Sequence, residues 1–98
     1  MRTYRVFVAD AISPEGLAPL RDDDRFEIIE RTGLTGADLA RALEGVHAVI
    51  VRSSTKITRE SLQYADTLEV IGRAGVGVDN IDVDAATERG VAVLNAPS

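Results

Sequence analysis

The sequence contains no cysteine and no tryptophan, one histidine, two tyrosines and two phenylalanines. Without cysteine there is no disulfide framework and no thiolate metal site, a usage that fits the cytoplasm. A single imidazole, His47, cannot build a His-rich zinc site. No run approaches the ~18 apolar residues of a membrane span. The opening residues, Met1 to Arg5, lack the apolar stretch of a signal peptide. The formal charge of −5 gives no basic footprint for nucleic acid. There is also no His–carboxylate pair aligned for proton transfer, no Ser-His-Asp set and no P-loop. Nor does any window read G-x-G-x-x-G, the dinucleotide fingerprint.

What is present fits one small domain. Ninety-eight residues, 45% of them hydrophobic, can bury a single core with little to spare. Val6 to Asp10 is a short apolar run that predicts a buried strand. Ser13-Pro14-Glu15 predicts a helix start, with Leu17 and Leu20 facing inward and Asp22 to Asp24 closing it. Phe26 to Glu30 reads as a second strand, charged enough for an edge. Thr35 to Asp38 opens a helix carrying Leu39 and Leu43, with Gly45 as its cap. Ala48 to Val51 is apolar on both faces and so reads as a central parallel strand. Thr58 predicts the start of a third helix with Leu62 and Ala65. Leu68 to Ile71 predicts strand four, Asp82 to Arg89 a fourth helix stopped by Gly90, and Val91 to Leu94 strand five. The alternation predicts an α/β fold, a flavodoxin-like five-stranded parallel sheet of order 2-1-3-4-5 with helices on both faces.

Ligands of such sheets bind at the carboxyl ends of the strands. Two loops there carry anion-binding chemistry. Arg52 offers a planar fork for carboxylate or phosphate, and Ser53, Ser54 and Thr55 follow it. A helix N-terminus at Thr58 would add free N–H groups. An ion pair for Arg52, with hydroxyls satisfying turn amides, is the structural alternative. Gly72-Arg73-Ala74-Gly75-Val76-Gly77 brings a second guanidinium beside closely spaced backbone amides. A structural ion pair explains Arg73 equally well, and tight turns alone explain the glycines. Asn95 ends strand five and offers an amide to a ligand oxygen or to a turn. His47 reads as a loop histidine. Asp79, Asp82 and Asp84 read as helix-capping residues rather than cation ligands.

Several of these segments also carry a resemblance. Arg52 to Thr58 (R-S-S-T-K-I-T), Val70 to Asp82 (V-I-G-R-A-G-V-G-V-D-N-I-D), Ala85 to Thr87 with Arg89-Gly90, and Asn95 to Ser98 resemble the opening segment of the NAD-dependent D-2-hydroxyacid dehydrogenases. Val8 to Asp10 and Ile12 to Leu17 resemble that family's first strand and helix. The likeness extends over essentially the whole chain, and the glycine run is that of the phosphoglycerate-oxidising branch. Ser54 stands where the family often has Ala.

The resemblance implies that residues 1–98 are a truncated substrate-binding domain, with the Rossmann NAD-binding domain absent. The family's catalytic residues and its nucleotide fingerprint would lie past residue 98, so no catalytic or cofactor-binding residue is assigned. The implied substrate contacts are Arg52, Ser53, Arg73, the amides of Gly75 and Val76, and Asn95 at the domain hinge. The implied parent is a cytoplasmic homo-oligomer that oxidises a small anionic substrate, 3-phosphoglycerate, to 3-phosphohydroxypyruvate with NAD in serine biosynthesis. The segment alone is expected to be inactive, to hold no cofactor, and to be a monomer or weak dimer. The alternatives are the substrate domain of another D-2-hydroxyacid dehydrogenase and a stand-alone anion-sensing module. A receiver-type phosphoacceptor would need an acid after strand three and a Lys after strand five, where this chain has Arg52 and Asn95.

Overall fold

Alternation along the first strand sets the layering. In β1 (Tyr4–Val8), Val6 and Val8 point to one side of the sheet and Phe7 to the other, and all three are buried. The computed structural model describes residues 3–74 and 80–96. Gly75 and Val76 therefore lie outside the described residues. β1 pairs in parallel with β2 (Phe26–Glu30) on one side and β3 (Ala48–Val51) on the other. β3 pairs with β4 (Val70–Ala74), and β4 with β5 (Ala92–Ala96). The order is β2-β1-β3-β4-β5, the predicted doubly wound arrangement.

Helices cover both faces. α1 (Pro14–Arg21) begins at Ser13, whose Oγ accepts from the Gly16 N–H at 3.3 Å, and Leu17 packs onto Val6 and Val8. α2 (Gly36–Ala42) and α3 (Val83–Glu88) lie on the opposite face. Leu39, Leu43, Ala85 and Ala86 meet Phe7, Val49, Val51 and Ile71 there in the larger of the two cores. Asp82 caps α3 by accepting from the Ala85 N–H at 3.0 Å. The charged strand β2 is an edge, as its sequence predicts, and the other edge, β5, leaves Leu94 59% exposed.

Residues 58–65 depart from the prediction. They form successive tight turns instead of an α-helix, although Leu62 and Ala65 are buried as their spacing requires. The cause is local. Ser61 Oγ accepts from the Thr58 N–H at 2.7 Å and donates to the Thr58 carbonyl at 2.8 Å, while Thr58 Oγ1 accepts from the Ser61 N–H. Such side-chain bonds compete with the helical ladder. The expected helix N-terminus at Thr58 is therefore absent, and its N–H is already taken. Strand limits also shift. β1 stops at Val8 and leaves Asp10 beyond it, whereas β4 and β5 run on to include Arg73 and Asn95.

Candidate functional site

Three neighbouring strands end together at one rim. The register pairs Val51 with Arg73, and Arg73 with Asn95, across β3, β4 and β5. Neighbouring strands lie about 4.8 Å apart, so Arg52, one residue past β3, is brought to the same rim as Arg73 and Asn95. Alternation places Arg73 and Asn95 on the face that Val51 shares with the larger core. His47 precedes β3 and so sits at the opposite rim. Its Nδ1 accepts from the Arg5 N–H at 3.0 Å, a structural role.

The loop that presents Arg52 is held at both ends by two residues that the sequence reading did not single out. The Asp10 carboxylate, 5% exposed, accepts from the Arg52 N–H at 2.6 Å, the Thr55 N–H at 3.2 Å and the Thr55 hydroxyl at 2.5 Å. The Asn80 amide takes the matching carbonyls. Its Nδ2 donates to the Arg52 carbonyl at 2.6 Å and the Thr55 carbonyl at 2.7 Å. The Asn80 carbonyl accepts from the Ile57 N–H at 2.9 Å, and Asp82 N–H closes the bridge to the Ile57 carbonyl at 2.8 Å. Asn80 Oδ1 accepts from Arg73 Nε at 2.8 Å. The ends of the 52–55 loop thus have N–H and C=O groups satisfied from below and behind. The side chains of Arg52, Ser53 and Ser54 remain exposed. Among the described residues the Arg52 guanidinium forms no ion pair. The hydroxyl of Thr55 donates to the Asp10 carboxylate and the Ala9 carbonyl rather than accepting from a turn amide. The signals for Asp10 and Asn80 were an acid closing the first apolar run and an Asn between Asp79 and Ile81.

Two clefts are lined by residues other than Arg52, Arg73 and Asn95. One, of about 430 Å³, is lined by Arg31, Leu34, Asp38, Arg41 and Ala42. The other, of about 350 Å³, runs beside Tyr4, Phe26, His47 and Val70. Among the described residues no cluster of His, Asp or Glu could hold a metal ion, and no helix is long and apolar enough to cross a membrane.

The fold is a parallel α/β sheet with the arginines Arg52 and Arg73 at its carboxyl rim. Residues 6–98 match the family model of the D-isomer specific 2-hydroxyacid dehydrogenase catalytic domain, and the chain belongs to that family. Within the family it is similar to D-3-phosphoglycerate dehydrogenase of Bacillus subtilis, 45% identical over 97% of this chain and 18% of that protein. The PH0520 protein from Pyrococcus horikoshii matches in structure with a TM-score of 0.84, at 36% identity, over 98% of this chain and 28% of that one. NAD+-bound 3-phosphoglycerate dehydrogenase of Entamoeba histolytica superposes with a TM-score of 0.82 over 95% of this chain and 32% of that one; at 24% identity it speaks for the fold. The chain thus spans less than a fifth of the curated relative's length. The glycine-rich run of this chain is ordered G-x-x-G-x-G, unlike the G-x-G-x-x-G of a dinucleotide turn.

Proposed function

We propose that this chain is the opening part of the substrate-binding domain of a D-3-phosphoglycerate dehydrogenase. It binds 3-phosphoglycerate for NAD-linked oxidation to 3-phosphohydroxypyruvate in serine biosynthesis, in a cytoplasmic, homo-oligomeric parent. The observation that carries the reading is the convergence of Arg52, Arg73 and Asn95 at the carboxyl rim of three adjacent strands. The relatives named above support the choice of substrate.

In this reading Arg52 orients the dianion through its bidentate fork. Ser53 donates a hydroxyl hydrogen bond beside it. Arg73 contributes positive charge for the phosphate, and the Gly75 and Val76 amides grip the carboxylate or the oxygen under oxidation. Asn95 hydrogen-bonds a substrate oxygen at the hinge. NAD would supply the hydride acceptor from a Rossmann domain outside these residues. None of the 98 residues is assigned to proton or hydride transfer.

The complete reading frame provides the test. The purified enzyme should reduce NAD with 3-phosphoglycerate in preference to D-lactate or glycolate, and Arg52→Ala should raise KM about tenfold or more, the loss of a charge-assisted contact. A preference for an unphosphorylated hydroxyacid would assign the chain to another branch of the family. A reading frame without a nucleotide-binding segment, with anion binding retained, would favour a sensing module.

A further inference from the structure

We infer that Asn80 is a positioning residue that locks the Arg52 loop and Arg73 into one unit. The inference rests on the anion-site reading above and goes beyond it, because Asn80 is not among the proposed ligand contacts.

The geometry commits both ends of one small amide. Oδ1 takes the Nε–H of Arg73, a residue of β4, and Nδ2 gives its two protons to the carbonyls of Arg52 and Thr55. This arrangement also fixes the amide's orientation, since two carbonyl oxygens demand the nitrogen and a guanidinium demands the oxygen. No other side chain of this size offers one acceptor and two donors at once. Aspartate would keep the Arg73 contact and turn a carboxylate oxygen toward two carbonyl oxygens.

The Arg73–Asn80 bond has a second consequence. It ties Asn80 to β4 as well as to the 52–55 loop. Asp10 already holds the amides of the Arg52 loop. Asn80 links that loop to Arg73 through its side-chain amide. A change at Arg73 therefore reaches Arg52 through Asn80, and an anion held by both guanidinium groups meets a preformed spacing instead of two independent side chains.

Coupling is what a merely structural asparagine would lack, and it can be read directly. Arg73→Ala in the otherwise unchanged, ¹⁵N-labelled chain should shift the backbone amides of Arg52, Ser53 and Thr55. The same substitution added to Asn80→Ala, or to the isosteric Asn80→Asp should the alanine variant not fold, should move those amides no further. Equal shifts in both backgrounds overturn the proposal. As a second reading, 3-phosphoglycerate should bind Asn80→Ala about tenfold more weakly than the unchanged chain. A lower melting temperature with affinity held within about twofold would reduce Asn80 to a structural role and also overturn it. Amide coupling without any response to 3-phosphoglycerate in the unchanged chain would sustain the brace and refute the anion site.

Discussion

A buried carboxylate without a cation beside it is costly unless donors surround it. Asp10 meets that condition with three donors, two of them backbone amides of the loop that carries Arg52. Asp10→Ala would leave those two amides without an acceptor, while the Thr55 hydroxyl keeps the Ala9 carbonyl at 3.1 Å. We expect a loss of about 3 kcal/mol in urea unfolding, and a loss below about 1 kcal/mol would contradict the assignment. Asp23 is the opposite case, a partly exposed carboxylate with a guanidinium beside it. Side-chain bonds from the Arg25 guanidinium, then a bond from the Arg25 N–H, lower it from the ordinary 3.8 to about 2. A folded value below the unfolded one contributes stability that is present above the unfolded value and is lost as pH falls through the folded value. That window runs from about pH 4 down to about pH 2. A carboxyl-carbon NMR titration should give a midpoint near 2 for Asp23; a midpoint at 3.8 would remove the Arg25 effect. Arg52 and Arg73 were legible in the sequence as cations at strand ends. Asp10 and Asn80 were less so, because their role lies in contacts 42 and 28 residues away with the Arg52 backbone.

At the scale of elements, local chemistry decides where regular structure stops. α3 ends at Glu88 with Arg89 as its C-cap, and Gly90 follows with φ of 75°, the left-handed region that suits glycine. A Cβ on Gly90 would meet nothing within 4 Å, so Gly90→Ala carries only a backbone cost. We expect it to lower stability by about 1–2 kcal/mol, measured by thermal or urea unfolding. An unchanged midpoint would show that the turn relaxes. The helix expected at Thr58 shows the limit of periodicity. Leu62 and Ala65 have helical spacing and are buried, yet the Thr58–Ser61 hydroxyl exchange ties the backbone into turns. Apolar spacing reports which side chains face the core; it does not count the side-chain bonds that compete for the same carbonyls. The strand shifts have a similar origin. Hydrophobic runs mark the buried middle of a strand, whereas pairing continues into polar residues such as Arg73 and Asn95 where a neighbour offers a partner.

For the whole molecule, the sheet order followed from the alternation of elements and from the apolar content of β3, so the rim could be located before any coordinates. Helices cover both faces, yet β5 keeps Leu94 exposed at the sheet's edge. The proposal that this chain binds but does not react has its own consequence. Incubated with 3-phosphoglycerate and NAD, the 98-residue chain should produce no NADH absorbance. Any turnover would place catalytic groups inside these residues.

The central claim is that the carboxyl rim of β3, β4 and β5 takes a small anion. Titration of the ¹⁵N-labelled chain with 3-phosphoglycerate tests it most directly. The account predicts saturable shifts confined to Arg52, Ser53, Arg73, Asn95 and the Gly75–Val76 amides, weakened in Arg52→Ala. Shifts centred on Arg31 and Arg41, or none at the rim, would contradict it.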